Sequence, residues 1–250
     1  MDPIARAVQV LVRARQTGKA AAAVPLADAA GAYAVQDGVA EALAWFDDTG
    51  PWHWKSGGPS RDAVLTHAPL PPAGVWASPA EARDWPFHCR GIEAEIALRL
   101  GRDVDATLAA TLDVAAATVL VDAMCVSIEI VDSRWAEGRD ATALAKLADL
   151  QSHGALVLSD WQPFAARDWA VQRCLVTIGT QPTTEHRGSH ALRDPPFVLP
   201  AWLRHATRHG RTVPADTVVT TGTWCGLPLA AAGDRVVAAF PGIGQAAVQL

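Results

Sequence analysis

Gly91-Ile92-Glu93-Ala94-Glu95-Ile96-Ala97-Leu98 is the stretch on which the fold turns. Its alternation is that of a β-strand, in which every second side chain shares a face. Ile92, Ala94, Ile96 and Leu98 make the apolar face. Glu93 and Glu95 leave from the other face, with Cα atoms roughly 6.5–7 Å apart. Two adjacent like charges are unfavourable unless something positive lies between them or water screens them. The segment alone permits either a solvent-facing pair or a charged site.

A second strand, Val126-Ser127-Ile128-Glu129-Ile130-Val131, alternates in the same way. A lone Glu among β-branched residues is costly if buried without a partner. If the two strands are neighbours, Glu129 joins Glu93 and Glu95. Three carboxylates with no clustered His or Cys make a hard oxygen site, suited to Mg²⁺ or Mn²⁺ rather than zinc or copper.

Outward from these strands, residues 3–17 predict a helix ended by Gly18, with Ile4, Val8, Leu11 and Val12 on one face. Residues 26–46 predict a second helix. Residues 49–80 are rich in Pro and Gly, which predicts a loop-rich stretch without long regular elements. Residues 107–124, 140–150 and 197–209 read as helices. Strands are expected at 91–100, 124–131, 155–158, 171–178, 218–221, 235–240 and 246–250. Strand runs broken by single helices, without regular βαβ alternation, predict an α+β fold. The division expected is a helical N-terminal part with its Gly/Pro-rich loop at 1–75, and a mixed β domain at 76–250.

The composition narrows the function classes. The chain has 250 residues, 50% of them hydrophobic and 19% charged. It is long enough to bury a core without disulfide or metal staples. With 21 basic and 26 acidic residues, the net charge of −5 argues against nucleic acid as a partner. Cys89, Cys125, Cys174 and Cys225 are scattered with no C-x-x-C pair, which fits small core residues in a reducing cytoplasm. No apolar run reaches membrane-spanning length. Ten Trp could suggest a carbohydrate-binding surface, but their spread through helices and loops argues for packing.

The motifs carry a family resemblance. Gly-Ile-Glu-Ala-Glu-Ile-Ala-Leu at 91–98, Leu-Gly-Arg-Asp at 100–103 and Ile-Glu-Ile-Val-Asp-Ser-Arg at 128–134 resemble the fumarylacetoacetate hydrolase superfamily. The likeness is to its 2-keto-4-pentenoate hydratase and 4-oxalocrotonate decarboxylase branch. Ala32-Tyr33-Ala34-Val35-Gln36 resembles that branch's opening, and Trp54-Lys55-Ser56-Gly57 its lysine motif. Ala148-Asp149 with Ser152 and Gly154, then Thr221-Gly222-Thr223, Gly233-Asp234 and Gly242-Ile243-Gly244, resemble its later signatures.

The resemblance implies a mixed β-roll or barrel with peripheral helices. It implies a divalent metal, Mg²⁺ or Mn²⁺, held by Glu93, Glu95 and Glu129. Lys55 is implied beside a small 2-oxo acid substrate, adding a second positive charge, or shuttling a proton if burial lowers its pKa toward neutrality. Asp149, Ser152, Thr221 and Gly222 are implied in substrate binding. The activity implied is that of a lyase hydrating a 2-hydroxy-2,4-dienoate to a 4-hydroxy-2-oxo acid. Decarboxylation, or C–C hydrolysis of an acylpyruvate type, would use the same site. Homo-oligomers are implied, as is a complex with a related pathway enzyme, in which this chain could be a non-catalytic subunit.

The chain departs from the pattern at Leu150 and Gln151, at His153 before Gly154, and at Ser56-Gly57-Gly58-Pro59 after the lysine. His153 is the candidate acid/base. Trp52 and Trp54 are expected to wall the pocket, and His186 and His190 to border it. Arg134 pairs with a carboxylate either structurally or in the substrate. His205 and His209, without an HExxH context, read as an exposed helical face.

Overall fold

The computed structural model describes residues 2–250. The chain opens with two helices, α1 (Pro3–Thr17) and α2 (Ala29–Ala42). Asp2 and Asp28 cap them by accepting from the backbone N–H of Ala5 and Gly31. Gly18, at φ 64°, ends α1 in the left-handed region open to glycine. The buried stripe of α1 is Ala7, Leu11 and Ala14. Leu11 of the expected face lies in the core, and Ile4, Val8 and Val12 are partly buried and pack against it. Gly38 lets α2 approach closely, since a Cβ there would stand 2.8 Å from Val8 Cγ2.

Four short strands follow, β1 (His53–Gly57), β2 (Thr66–Pro69), β3 (Val75–Ala77) and β4 (Ala80–Glu81). The Pro/Gly-rich stretch therefore holds only short elements, as expected. Its prolines sit at strand ends and turns, and its strands borrow their hydrogen bonds from distant partners. Next come β5 (Gly91–Leu100), α3 (Ala106–Thr111), α4 (Val114–Thr118) and β6 (Val121–Val131). The single helix expected over 107–124 is two short ones. Asp113 starts the second by capping Ala116 N–H, and pairing with β5 claims the chain from Val121. The rest is α5 (Ala143–Ala148), β7 (His153–Leu158), β8 (Gln162–Pro163), β9 (Arg173–Ile178), β10 (Thr184–Arg187), α6 (Leu199–Ala206), β11 (Val218–Thr220), β12 (Arg235–Phe240) and β13 (Gly244–Gln249).

The strands build two mixed sheets with helices outside, in keeping with the expected mixed roll. One runs β2-β1-β11-β5-β6-β7-β3, with β8 added on β6; the other runs β10-β9-β12-β13-β4. β1 pairs parallel with β11, and β5 antiparallel with both β11 and β6. The apolar face of β5 and β6 (Ile92, Ala94, Ile96, Ile128) joins Val236, Ala238, Phe240 and Val248 of the second sheet in one buried core. A separate core joins α1, α2 and α5 around Trp135.

The opposite face of β5 and β6 carries Glu93, Glu95, Ser127 and Glu129, and further along it the small apolar pair Ala97 and Cys125. Two helix-side expectations change with the fold. His205 of α6 points inward, 4.4 Å from the Tyr33 ring and 4.8 Å from His67. His209 lies beyond α6, in a left-handed turn and exposed. Among the described residues, no helix is long and apolar enough to cross a membrane.

Candidate active site

Register brings the carboxylates together. Glu93 of β5 stands directly opposite Glu129 of β6, and Glu95 opposite Ser127. Cross-strand neighbours on one face lie within roughly 4.5–5.5 Å at Cβ. On the other flank Thr220 of β11 pairs with Ala97 of β5 and with Lys55 of β1. Four adjacent strands thus aim Lys55, Thr220, Glu95, Glu93 and Glu129 at one place. The carboxylate oxygens of Glu93, Glu95 and Glu129 lie within 4.8 Å of one another. Glu95 and Glu129 are buried, whereas Glu93 keeps an edge on a cavity of about 320 Å³. Lys55, Glu93, Glu95, Gln151, Thr221 and Gly222 are among its walls.

Each carboxylate has its own environment. Lys55 Nζ donates to Glu129 Oε1 at 2.6 Å, and His153 Nδ1 meets the same oxygen at 3.1 Å. Glu129 Oε2 is buried and has no protein partner. Glu95 Oε2 accepts from the Thr220 hydroxyl and from Gly222 N–H, the latter at 2.8 Å. Ser127 Oγ, 3.0 Å from Thr220 Oγ1, extends this chain of hydroxyls.

Burial pushes the Glu93 carboxyl well up; Lys55 opposes this, while Glu95 and Glu129 add to it. Burial and the charge of Glu129 also raise Glu95, against Lys55 and the Thr220 and Gly222 donors. At Glu129 burial is outweighed by Lys55 and then His153, and the carboxyl is held below its usual range. One ammonium therefore does not balance three buried carboxylates. A divalent cation fits what is left: hard oxygen donors, like-charge repulsion, and a bare Oε2 on Glu129.

Of the two roles expected of Lys55, its surroundings favour the fixed positive charge. Burial alone lowers its pKa, but Glu129, then Glu93 and Glu95, outweigh burial and the net shift is upward. The ammonium is not driven toward neutrality in this carboxylate field. Its second acceptor is the backbone oxygen of Gln151 at 3.2 Å. That oxygen is presented by an unusual turn: Leu150, Gln151 and Ser152 all have positive φ, at 53°, 55° and 61°. Such strain in non-glycine residues costs of order 1–3 kcal/mol each and gathers at functional sites.

The remaining expected residues divide into two groups. Thr221 and Gly222 line the cavity, as does His190, whose Nε2 donates to Thr221 O at 2.8 Å. Burial pushes the His190 imidazole down to about 4, so it is neutral. Asp149, Ser152 and His153 lie outside the cavity wall. The Asp149 carboxylate is fully buried and occupied by Arg134, by side chain and backbone, and by Arg15, with each contact at 2.9 Å. Arg134 thus takes the structural alternative. His153 sits behind Glu129; burial lowers its pKa more than Glu129 raises it, so a neutral ring holds the carboxylate.

His186 lies on β10 in the second sheet. Trp54 is buried on the opposite side of β1, its ring against Trp202 and His205, and Trp52 borders a different cavity. Neither Trp walls the carboxylate cavity. Thr220 and Ser127 are the site residues that sequence reasoning passed over, and only strand register reveals them.

The comparisons with known proteins agree with this architecture. No curated protein matches the chain. Among solved structures, 4-oxalocrotonate decarboxylase from Pseudomonas putida G7, complexed with magnesium and adipate, superposes with a TM-score of 0.83 at 16% identity. That match covers 98% of this chain and 96% of the decarboxylase. Fumarylpyruvate hydrolase from Pseudomonas aeruginosa, in complex with Mn²⁺ and pyruvate, gives a TM-score of 0.56 at 12% identity. It covers 79% of this chain and 88% of the hydrolase. The 2-hydroxyhepta-2,4-diene-1,7-dioate isomerase from Mycobacterium marinum gives 0.58 at 15% identity, covering 79% and 73%. Residues 68–250 match the family described as fumarylacetoacetate (FAA) hydrolase C-terminal, and the chain belongs to that family.

Proposed function

We propose that this protein is a divalent-metal-dependent lyase acting on a small 2-oxo acid or its 2-hydroxydienoate tautomer. The observation that carries this is the convergence of Glu93, Glu95, Glu129 and Lys55 at one cavity. Glu93, Glu95 and Glu129 would hold the ion. When bound, it supplies Lewis acidity toward a carboxylate and the oxygen next to it.

The protein's own groups supply the rest. An ammonium has three N–H donors. Two of those of Lys55 are committed, to Glu129 and to Gln151 O, which leaves one for a substrate oxygen. Held in place by two acceptors, Lys55 presents that proton without reorganising. Thr220 and Gly222 N–H fix Glu95, and His153 fixes Glu129, so the carboxylates keep their aim as charge shifts on the substrate.

Hydration of 2-hydroxypenta-2,4-dienoate is the reaction to test first. Ketonisation moves the enol proton to C5 and leaves a C3=C4 bond conjugated with the 2-oxo group. Water then adds, its hydroxyl on C4 and its proton on C3. Incubation with Mg²⁺ and the dienoate should give metal-dependent loss of the dienol absorbance. A signal unchanged by Mg²⁺ and by EDTA would contradict the hydratase reading.

A second reading is loss of CO₂ from a 2-oxo diacid at the same site. It is supported by the extent of the decarboxylase similarity, which takes in the N-terminal helices, whereas the hydrolase match covers only 79% of the chain. Release of CO₂ from 4-oxalocrotonate, with no consumption of the dienoate, selects it.

A further inference from the structure

The Thr221 carbonyl and the Gly222 N–H belong to one planar peptide unit and point opposite ways from it. The N–H donates to Glu95 Oε2 at 2.8 Å, and the carbonyl oxygen accepts from His190 Nε2 at 2.8 Å. We propose that His190 is a positioning residue for Glu95, acting through this peptide: it keeps the Gly222 N–H on the carboxylate. Its consequence for metal binding rests on the reading of Glu95 as a metal ligand.

Backbone freedom makes such a hold necessary. Gly222 stands at φ 105°. Turning the 221–222 peptide over would carry Gly222 to negative φ, and glycine populates both signs about equally. The chain alone therefore does not fix which way this peptide faces. The Thr221 hydroxyl, donating to Ile96 O at 2.7 Å, anchors its own residue but not the peptide that follows. Turned over, that peptide would set the Thr221 oxygen against the buried Glu95 carboxylate and leave the Thr220 hydroxyl to hold Glu95 without it.

His190 is placed for the task. It is buried, and its ring lies 5.4 Å from that of Trp224, centroid to centroid. The Trp224 backbone N–H donates in turn to Ala94 O of β5 at 2.8 Å. The strand that carries Glu95 thus also seats the imidazole. A carbonyl oxygen only accepts, so His190 carries a proton on Nε2 whatever the charge of its ring. Because burial keeps that ring neutral, it directs a dipole at the peptide without adding a cation that would compete for the three carboxylates. Hydrogen bonds in series polarise one another, so the imidazole also strengthens the Gly222 donor.

The test follows the Gly222 amide proton by NMR in EDTA, and Mn²⁺ affinity by calorimetry. His190→Phe keeps a ring beside Trp224 and removes the donor; His190→Gln gives up the ring and restores an N–H. In His190→Phe the Gly222 proton should move upfield, and Mn²⁺ should bind about 10- to 100-fold more weakly, as when partners of metal ligands are lost. His190→Gln should recover both. A role in packing alone predicts the reverse order, with Phe better tolerated than Gln, and that order overturns the proposal. So does an unmoved Gly222 signal, or wild-type Mn²⁺ affinity, in His190→Phe. The wild type decides without any folded variant: a scalar coupling from His190 Nε2 to the Thr221 carbonyl carbon is expected, and its absence overturns the proposal. Wild-type protein that binds no Mn²⁺ would sink the metal reading instead, while the Gly222 signal in EDTA still decides the role of His190.

Discussion

Lys55 Nζ stands 2.6 Å from Glu129 Oε1, a buried cation and carboxylate joined across four strands of one sheet. The pair sets the electrostatics of the whole cavity. It lowers Glu129, and it leaves Glu93 and Glu95 raised and short of positive charge.

Replacing that lysine separates two roles. Lys55→Met removes a positive charge that competes with any cation for the three carboxylates. Turnover should fall at least about 100-fold, in the range typical of lost proton transfer. Affinity for Mn²⁺, measured by calorimetry, should hold or tighten. Weaker Mn²⁺ binding in the variant would mean that Lys55 props up the site rather than competing within it.

Asp149 is expected to matter for stability rather than for substrate affinity. Asp149→Ala leaves Arg15 on α1 without its carboxylate, and Arg134 after β6 with only Asp132, in a desolvated place. Breaking a buried pair from one side costs about 3–5 kcal/mol. Urea unfolding should show a loss of that size. An unchanged midpoint with a raised KM would return Asp149 to substrate binding.

Gly154 is required by space. A Cβ there would lie 2.6 Å from Ile130 O and 2.8 Å from Asp132 Cβ, and neither a backbone oxygen nor a Cβ can give way cheaply. Gly154→Ala should cost about 1–3 kcal/mol as overpacking. Because β7 carries His153 next to it, Mn²⁺ affinity should weaken as well. Differential scanning calorimetry reads the first effect and titration the second.

Acid should destabilise the protein through a pair of histidines, His67 and His205. Burial pushes His67 and His205 down to about 3, with the Arg208 charge adding to it. Between pH 6.5 and 3 the unfolded chain binds protons there and the folded chain does not. Stability is therefore fully present above about pH 6.5 and falls as the pH drops. At His67 the slope approaches about 1.4 kcal/mol per pH unit. His205→Phe, which keeps the stacking on Tyr33, should flatten the decline of the urea midpoint between pH 7 and 5. An unaltered slope would show that other groups carry it.

The legible parts of the sequence were those where one period ran uninterrupted. β5 and β6 announce themselves through alternation, and with them the three carboxylates. α1 is readable: its expected face packs on the core, with the small Ala7 and Ala14 buried beside Leu11. Less legible were elements held by long-range pairing. β1 and β2 lie in a Pro/Gly-rich stretch and are strands only because β11 pairs with β1, some 160 residues later in sequence. Thr220 gained its place from that pairing. The left-handed turn at 150–152 and the position of His153 behind Glu129 follow from tertiary fit, which no local pattern encodes.

The central claim is that Glu93, Glu95 and Glu129 form one divalent-metal site. Anomalous diffraction from a crystal soaked in Mn²⁺ tests it most directly. The account predicts a single strong peak ligated by oxygens of all three residues, abolished in Glu129→Gln. A peak elsewhere, with the three carboxylates bare in the same crystal, would contradict it.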